Sequence, residues 1–215
     1  GSMDPGEHVT TNQEISAADI DKLRFKPVSN ANGNDYDTFS FKVYDGTDYS
    51  TTGYTMTVNV SPVNDAPLGA NNTLSTNEDT VLTIVVGDFG FSDTIDAGDG
   101  LMDVFALVKI TSLETNGALK YDGTDVTINQ SITVGNLALG KLKFYPVADA
   151  NGEPYASFGF KVMDQGGTAN GGVNIDQTQR TMTIDVTPVN DLPAGANDAI
   201  TTLEDTDVDF VTGDF

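Results

Sequence analysis

Short alternations of apolar and polar positions dominate this chain. Phe158, Phe160 and Val162 share one face of a run, and Met182, Ile184 and Val186 share one face of another. Successive side chains of a β-strand point to opposite sides, so these triplets predict the core-facing stripes of two strands. Further runs at 80–86, 104–113, 118–121, 126–128 and 142–144, with a first strand around Leu74 and Thr76, bring the complete set to about seven to nine short strands. Gly, Asn and Asp separate them. Asn116-Gly117 and Asp122-Gly123 are hairpin signals, because both residue types tolerate the positive φ that tight turns need. Helical pattern is confined to single turns near 16–20 and 132–139. The expected fold is all-β, a Greek-key β-sandwich.

The alternating runs recur in a fixed order. Ser61-Pro62-Val63-Asn64-Asp65-Ala66-Pro67 returns as Thr187-Pro188-Val189-Asn190-Asp191-Leu192-Pro193, with Asn190 lying 126 residues after Asn64. Lys22-Leu23-Arg24-Phe25 matches Lys141-Leu142-Lys143-Phe144 at an offset of 119, and Phe39-Ser40-Phe41-Lys42-Val43 matches Phe158-Gly159-Phe160-Lys161-Val162 at the same offset. A longer loop at 165–179 brings the offset to 126 before the next matched strand. Asn71 to Thr80 returns at 197–206, and Gly87-Asp88-Phe89 as Gly213-Asp214-Phe215. A period of this size is that of one domain. The expected organisation is an expression scar and linker at 1–8, the second half of a module at 9–67, a complete module at 68–193, and the start of a third at 194–215. Half a sandwich exposes strand edges and an apolar face. The opening segment 194–215 is therefore expected to complement 9–67, within a chain or head to tail between chains.

Charge changes the picture most. Asp and Glu outnumber Lys and Arg 32 to 10, for a net charge of −22, and Asp supplies most of the excess. Such a chain repels nucleic acid and anionic membrane, and no apolar run is long enough to span a bilayer as a helix. The excess suits solubility in a salty medium, or ligands for a hard cation presented from turns. The chain contains no cysteine, which removes disulfides, thiol catalysis and thiolate metal sites. Its one histidine, His8, lies beside the scar. With no nucleophile–base arrangement or phosphate-cradling loop, and with its carboxylates in polar turns, the chain is not expected to be an enzyme.

Asp93, Asp96 and Asp99 follow one another at three-residue spacing in a Gly-rich loop, as oxygen ligands for Ca²⁺ would; a solvated acidic loop is the competing reading. Asp149 and Asn151 read as an Asx-turn. Glu78-Asp79 recurs as Glu204-Asp205, with Glu reaching either a neighbouring ligand set or only solvent at a strand end. Asn64-Asp65 and Asn190-Asp191, held extended between prolines, can present oxygen atoms to both flanking modules.

Pro-Val-Asn-Asp-x-Pro, Asn-Glu-Asp-Thr before a strand, Phe-Ser-Asp with a later Asp-x-Gly-Asp, and Ala-Asn-Gly followed by Phe-x-Phe-Lys-Val-x-Asp together resemble bacterial cadherin-like tandem repeats. Such repeats build large secreted or cell-surface adhesins, often exported by type I secretion and associated with biofilm. The resemblance implies an immunoglobulin-like sandwich, an extracellular location, Ca²⁺ as cofactor and neighbouring repeats as partners. It implies Glu78 as the first-strand ligand, Asp93 and Asp96 as paired ligands of the following module, and Asp164 as a further ligand. The animal linker Asp-x-Asn-Asp-Asn-Ala-Pro is matched here only in its Asn-Asp core, which implies fewer ions per joint. A carbohydrate-binding role is the alternative, with Tyr36, Tyr44, Tyr49 and Tyr54 as available aromatics and a cell-surface polysaccharide as partner.

Overall fold

The computed structural model describes residues 8–96 and 104–214. Residues 1–7 of the expected scar and linker, and Asp99, lie outside the described residues. Among the described residues there are eleven strands: β1 (Gly33–Phe41), β2 (Tyr54–Val60), β3 (Asn72–Asn77), β4 (Leu82–Thr83), β5 (Phe105–Ser112), β6 (Ala118–Tyr121), β7 (Thr124–Asp125), β8 (Ser131–Thr133), β9 (Leu142–Tyr145), β10 (Gly152–Asp164) and β11 (Arg180–Thr187). A five-stranded sheet, β3-β11-β10-β5-β8, faces a four-stranded sheet, β4-β9-β6-β7, and β1-β2 forms a separate two-stranded sheet. The fold is an all-β sandwich, as the alternation predicts.

The predicted stripes are the core. Phe158, Phe160 and Val162 of β10 and Met182, Ile184 and Val186 of β11 are buried together with Phe144, Leu142 and Leu119 of the opposite sheet. Phe89 packs edge-on against Phe160 with centroids 4.9 Å apart. One helical turn, α1 (Val134–Ala138), closes an end of the sandwich; Thr133 caps it by accepting the Asn136 N–H at 3.3 Å. The other expected turn lies at Ile20–Lys22 and is a 3₁₀ turn.

Two turn signals resolve differently. Asp122-Gly123 makes the expected two-residue hairpin, with both φ values positive and Lys120 opposite Asp125. Asn116-Gly117 does not join paired strands: β5 and β6 lie in different sheets. Gly117 adopts φ 69°, and a Cβ there would stand 2.5 Å from the Phe144 ring. The glycine lets the chain cross tightly between sheets, a need that shares its residue chemistry with a hairpin.

The repeat reappears as register. β1-β2 pairs Phe39 with Met56 and Gly33 with Val60 across a bulge; β10-β11 pairs Phe158 with Met182 and Gly152 with Val186 across the same bulge. Tyr36 accepts the Val28 N–H at 3.1 Å, and Tyr155 accepts the Val147 N–H at 3.0 Å. The surroundings differ. Phe39 and Met56 are 49% and 47% exposed, whereas Phe158 and Met182 are 1% and 0% exposed. Residues 23–28 form no strand, although the matching β9 does, because β9 has β4 and β6 to pair with. Residues 198–203 repeat β3 and likewise form none.

Coverage thus decides the energetics. Phe158→Ala is expected to cost about 3–5 kcal/mol in a urea melt, the usual loss for an aromatic removed from a packed core. Phe39→Ala, at the matching position, is expected to cost about 0.5 kcal/mol or less in dilute protein.

Candidate metal centre

Seven of the ten predicted ligands gather at the two ends of the sandwich. β10 and β11 run antiparallel, so Asp164 and Arg180 mark one pole while Gly152 and Thr187 mark the other.

At the first pole the linker is pinned from several sides. Asn64 is only 4% exposed. Its Nδ2 donates to the Val173 carbonyl at 2.7 Å and lies 3.3 and 3.4 Å from the two Asp164 carboxylate oxygens. The Val173 N–H donates back to the Asn64 carbonyl at 2.8 Å. The loop after β10 closes on this side chain through two glycines. A Cβ on Gly166 would fall 1.4 Å from Asn64 Oδ1, and one on Gly172 would fall 3.1 Å from Asn64 Cβ. The Asp65 N–H donates to Asp96 Oδ2 at 2.6 Å. Asp96 and Asp164 are both buried, and Asp93 is half-buried just after the backbone bridge between Leu68 and Ser92.

Asn64 Oδ1 is buried without a hydrogen-bond partner. A buried acceptor left unmet costs about 1–3 kcal/mol, so an oxygen in that state, beside carboxylates, suits a cation. The donor set is all oxygen, which matches a hard ion.

Asp176, which the sequence reading did not single out, is fully buried nearby and has a structural explanation. It accepts from Arg180 Nε, the Gly69 N–H and the Thr178 N–H, each at 2.8 Å. Burial pushes its carboxyl up, but these donors outweigh burial and hold it below the usual range. The pair fastens the segment after the linker onto β11.

At the second pole, Asp79, Asp149 and Asp191 each bring a carboxylate oxygen within 4.8 Å of the others. Such a cluster can hold a metal ion. Asp79 and Asp149 sit at φ 59° and 57°, left-handed positions that Asp tolerates in turns. The Asp149 N–H donates to Asp79 Oδ1 at 3.2 Å. Glu78 is buried beside them. It accepts the Val189 N–H at 2.5 Å and Asn151 Nδ2 at 3.1 Å, and its own N–H donates to the Thr187 carbonyl at 2.9 Å. Glu78 therefore ties the second linker to the turn after β3.

The structure sorts the sequence candidates by pole. Asn64, Asp65, Asp93, Asp96 and Asp164 belong to the first; Glu78 and Asp191 belong to the second; Asn190 and Glu204 are exposed. Asp149 and Asn151, read from sequence as an Asx-turn, sit within the second group. Their signal was the repeat itself, since Asn30-Ala31-Asn32 occupies the matching turn beside the first linker.

The carboxylates of the second pole affect one another. The Val189 N–H, then Asn151, hold the Glu78 carboxyl below its usual range. Repulsion from Asp149, then burial, then Glu78 and Asp79, push Asp191 up. A lowered carboxyl contributes stability above its unfolded pKa that is lost as pH falls through the folded value; a raised one contributes below its unfolded pKa and loses it as pH rises through the folded value. In metal-free buffer, acidification should first relieve Asp191 and then release Glu78. Melting temperature followed against pH should show Asp191→Asn removing the first change, and Glu78→Ala removing the second while reducing the first.

No protein-family model matches the chain. Integrin beta-like protein C of Dictyostelium discoideum is 33% identical over 106 residues, covering 49% of this chain and 5% of that protein. The chain thus spans a small fraction of the length of this curated relative.

Proposed function

We propose that the chain is a structural adhesion module: β-sandwich repeats of a large bacterial surface or secreted adhesin, with Ca²⁺ stiffening the joints between them. The observation that carries this reading is the burial of Asn64 and the pinning of Asp65 among carboxylates, with the Asn64 amide oxygen left without a partner. Asn64, Asp65, Asp93, Asp96 and Asp164 would hold the ion at the first pole, and Asp79, Asp149 and Asp191 at the second. Bound there, Ca²⁺ supplies positive charge and a demand for six to eight oxygen ligands. The chain's own part is to present oxygens from linker and sandwich together, so that ion binding and a rigid joint are one equilibrium. Without the ion, like charges repel across the second pole, and none of the four ion pairs among the described residues involves Asp79, Asp149 or Asp191. The partial likeness to an integrin beta-like protein fits an adhesion-type module in general terms. No helix among the described residues is long and apolar enough to cross a membrane.

A second reading, carbohydrate binding, has one observation in its favour. Tyr44 and Tyr49 are exposed, with ring centroids 4.8 Å apart and the rings tilted by 35°, on a β-bridge. Aromatic faces of this kind can carry a sugar ring. Retention on polysaccharide that is lost in Tyr44→Ala and indifferent to calcium would favour this reading.

Calcium at millimolar levels is expected to raise the melting temperature and lengthen the particle in small-angle scattering, and chelator should reverse both. Asp164→Asn should remove the lengthening while keeping the fold. If neither property responds to calcium, the ion has no part in the joint.

A further inference from the structure

We infer that Asn116 is a site of spontaneous deamidation, and that its isoaspartyl product loosens the tight crossing between the two sheets. The chain carries four Asn-Gly dipeptides, at 32–33, 116–117, 151–152 and 170–171. Glycine favours the reaction in all four, because no Cβ shields its backbone nitrogen. The fold separates them.

Asn116 is exposed in the bend between β5 and β6. Gly117 lies outside both strands, and its N–H donates to Asn116 Oδ1 at 3.0 Å. This local bond sets the backbone nitrogen against the side-chain amide that it attacks. The other three dipeptides are held out of that geometry. Gly33 and Gly152 open β1 and β10 and pair with Val60 and Val186. Asn151 Nδ2 also donates to Glu78 at 3.1 Å. Asn170 lies at ψ 21°, which turns the Gly171 nitrogen nearly opposite the Asn170 Cβ and away from its amide carbon.

The step needs only water. The Gly117 nitrogen loses its proton to solvent base and bonds to Asn116 Cγ; the Cγ–Nδ2 bond breaks, and ammonia leaves with a proton. Water then opens the five-membered ring at one of its two carbonyls. Cleavage of the bond to Cγ restores the original backbone and leaves an aspartate. Cleavage of the bond to the main-chain carbonyl carbon leaves an isoaspartate, whose backbone runs through Cγ. On balance one water is consumed and one ammonia released, with no oxidant or reductant.

The aspartate fits the same place, since a carboxylate oxygen accepts the Gly117 N–H as Oδ1 does. The isoaspartate does not. It adds a methylene to the main chain beside Gly117, which stands at φ 69° with no room for a Cβ. One would fall 2.5 Å from the Phe144 ring and 2.7 Å from the Tyr145 carbonyl oxygen.

The chain on either side is fastened. The Thr115 N–H donates to the Ser157 carbonyl at 3.1 Å, and Thr115 Oγ1 accepts the Ser157 N–H at 3.1 Å. Glu114 Oε1 accepts the N–H of the fully buried Leu119 at 3.0 Å. With both flanks fixed against a close-packed core, the extra backbone atom is taken up only by breaking one of these contacts. None of these groups belongs to either pole, so the reaction is independent of Ca²⁺.

The test incubates the full chain in mildly alkaline, calcium-free buffer and follows tryptic peptides by mass, with sites assigned by fragmentation. The peptide 110–120, in which Asn116 is the one Asn, should gain the mass difference between an amide and an acid. It should do so several-fold faster than Asn32, Asn151 or Asn170 reacts. In urea, where the dipeptide alone sets the rate, the four should converge. The deamidated fraction, with its isoaspartate counted by an isoaspartyl methyltransferase, should melt several degrees below the unmodified chain. Asn116→Asp should melt with the unmodified chain, which separates the added methylene from the added charge. An unchanged peptide 110–120 in the folded chain once the urea-treated chain has reacted, or faster reaction at another Asn of the folded chain, would overturn the proposal. So would an isoaspartate-rich fraction that melts with the unmodified chain.

Discussion

The burial of Asn64 against Asp164 is the contact on which the joint depends. It places a linker side chain inside the next sandwich, with the Val173 carbonyl accepting from its amide nitrogen and the Val173 N–H donating to its backbone. Everything around it is arranged for that entry. Gly166 and Gly172 have no side chains that would block it, Asp96 accepts from the following N–H, and the Asp176–Arg180 pair fastens the next turn of chain through Gly69. The linker is consequently part of the sandwich, and carboxylates surround it there.

The balance of charge is unusual because attraction is scarce. Ten cationic side chains serve thirty-two acidic ones. Where a carboxylate is buried with a guanidinium, as at Asp176, burial pushes the group up but Arg180 and the Gly69 and Thr178 N–H groups outweigh it. At the second pole the carboxylates are solvated but mutually repelling, and Asp191 is pushed up mainly by Asp149. Glu78 is the exception there, because backbone and amide donors meet it rather than other acids. The two kinds of carboxylate do different things: Glu78 anchors the linker, while the three aspartates keep it under repulsion that a cation would relieve.

Much of this was legible in the chain. Alternation located β5, β10 and β11 and the buried faces of the last two, and the repeated Asn-Asp marked both linkers. The failures share a cause. Residues 23–28 and 198–203 have strand sequences but lack the neighbours that β9 and β3 have, and a strand is stabilised by its pairs rather than by its own pattern. Asn116-Gly117 carried the chemistry of a hairpin but served a crossing between sheets. Asp149 looked like a local turn because its partners, Asp79 and Asp191, come from distant parts of the chain, which no local spacing reveals.

Calorimetric titration of the full chain with Ca²⁺, set against Mg²⁺, tests the central claim most directly. Mg²⁺ is smaller and holds its water more tightly, so linker carboxylates and amides should discriminate against it. Saturable binding of Ca²⁺ with a dissociation constant of about 10⁻⁴–10⁻³ M, weakened in Asn64→Ala and in Asp191→Asn, is the result expected. Absence of saturable heat, or binding equal for both ions and untouched by either substitution, would contradict the account.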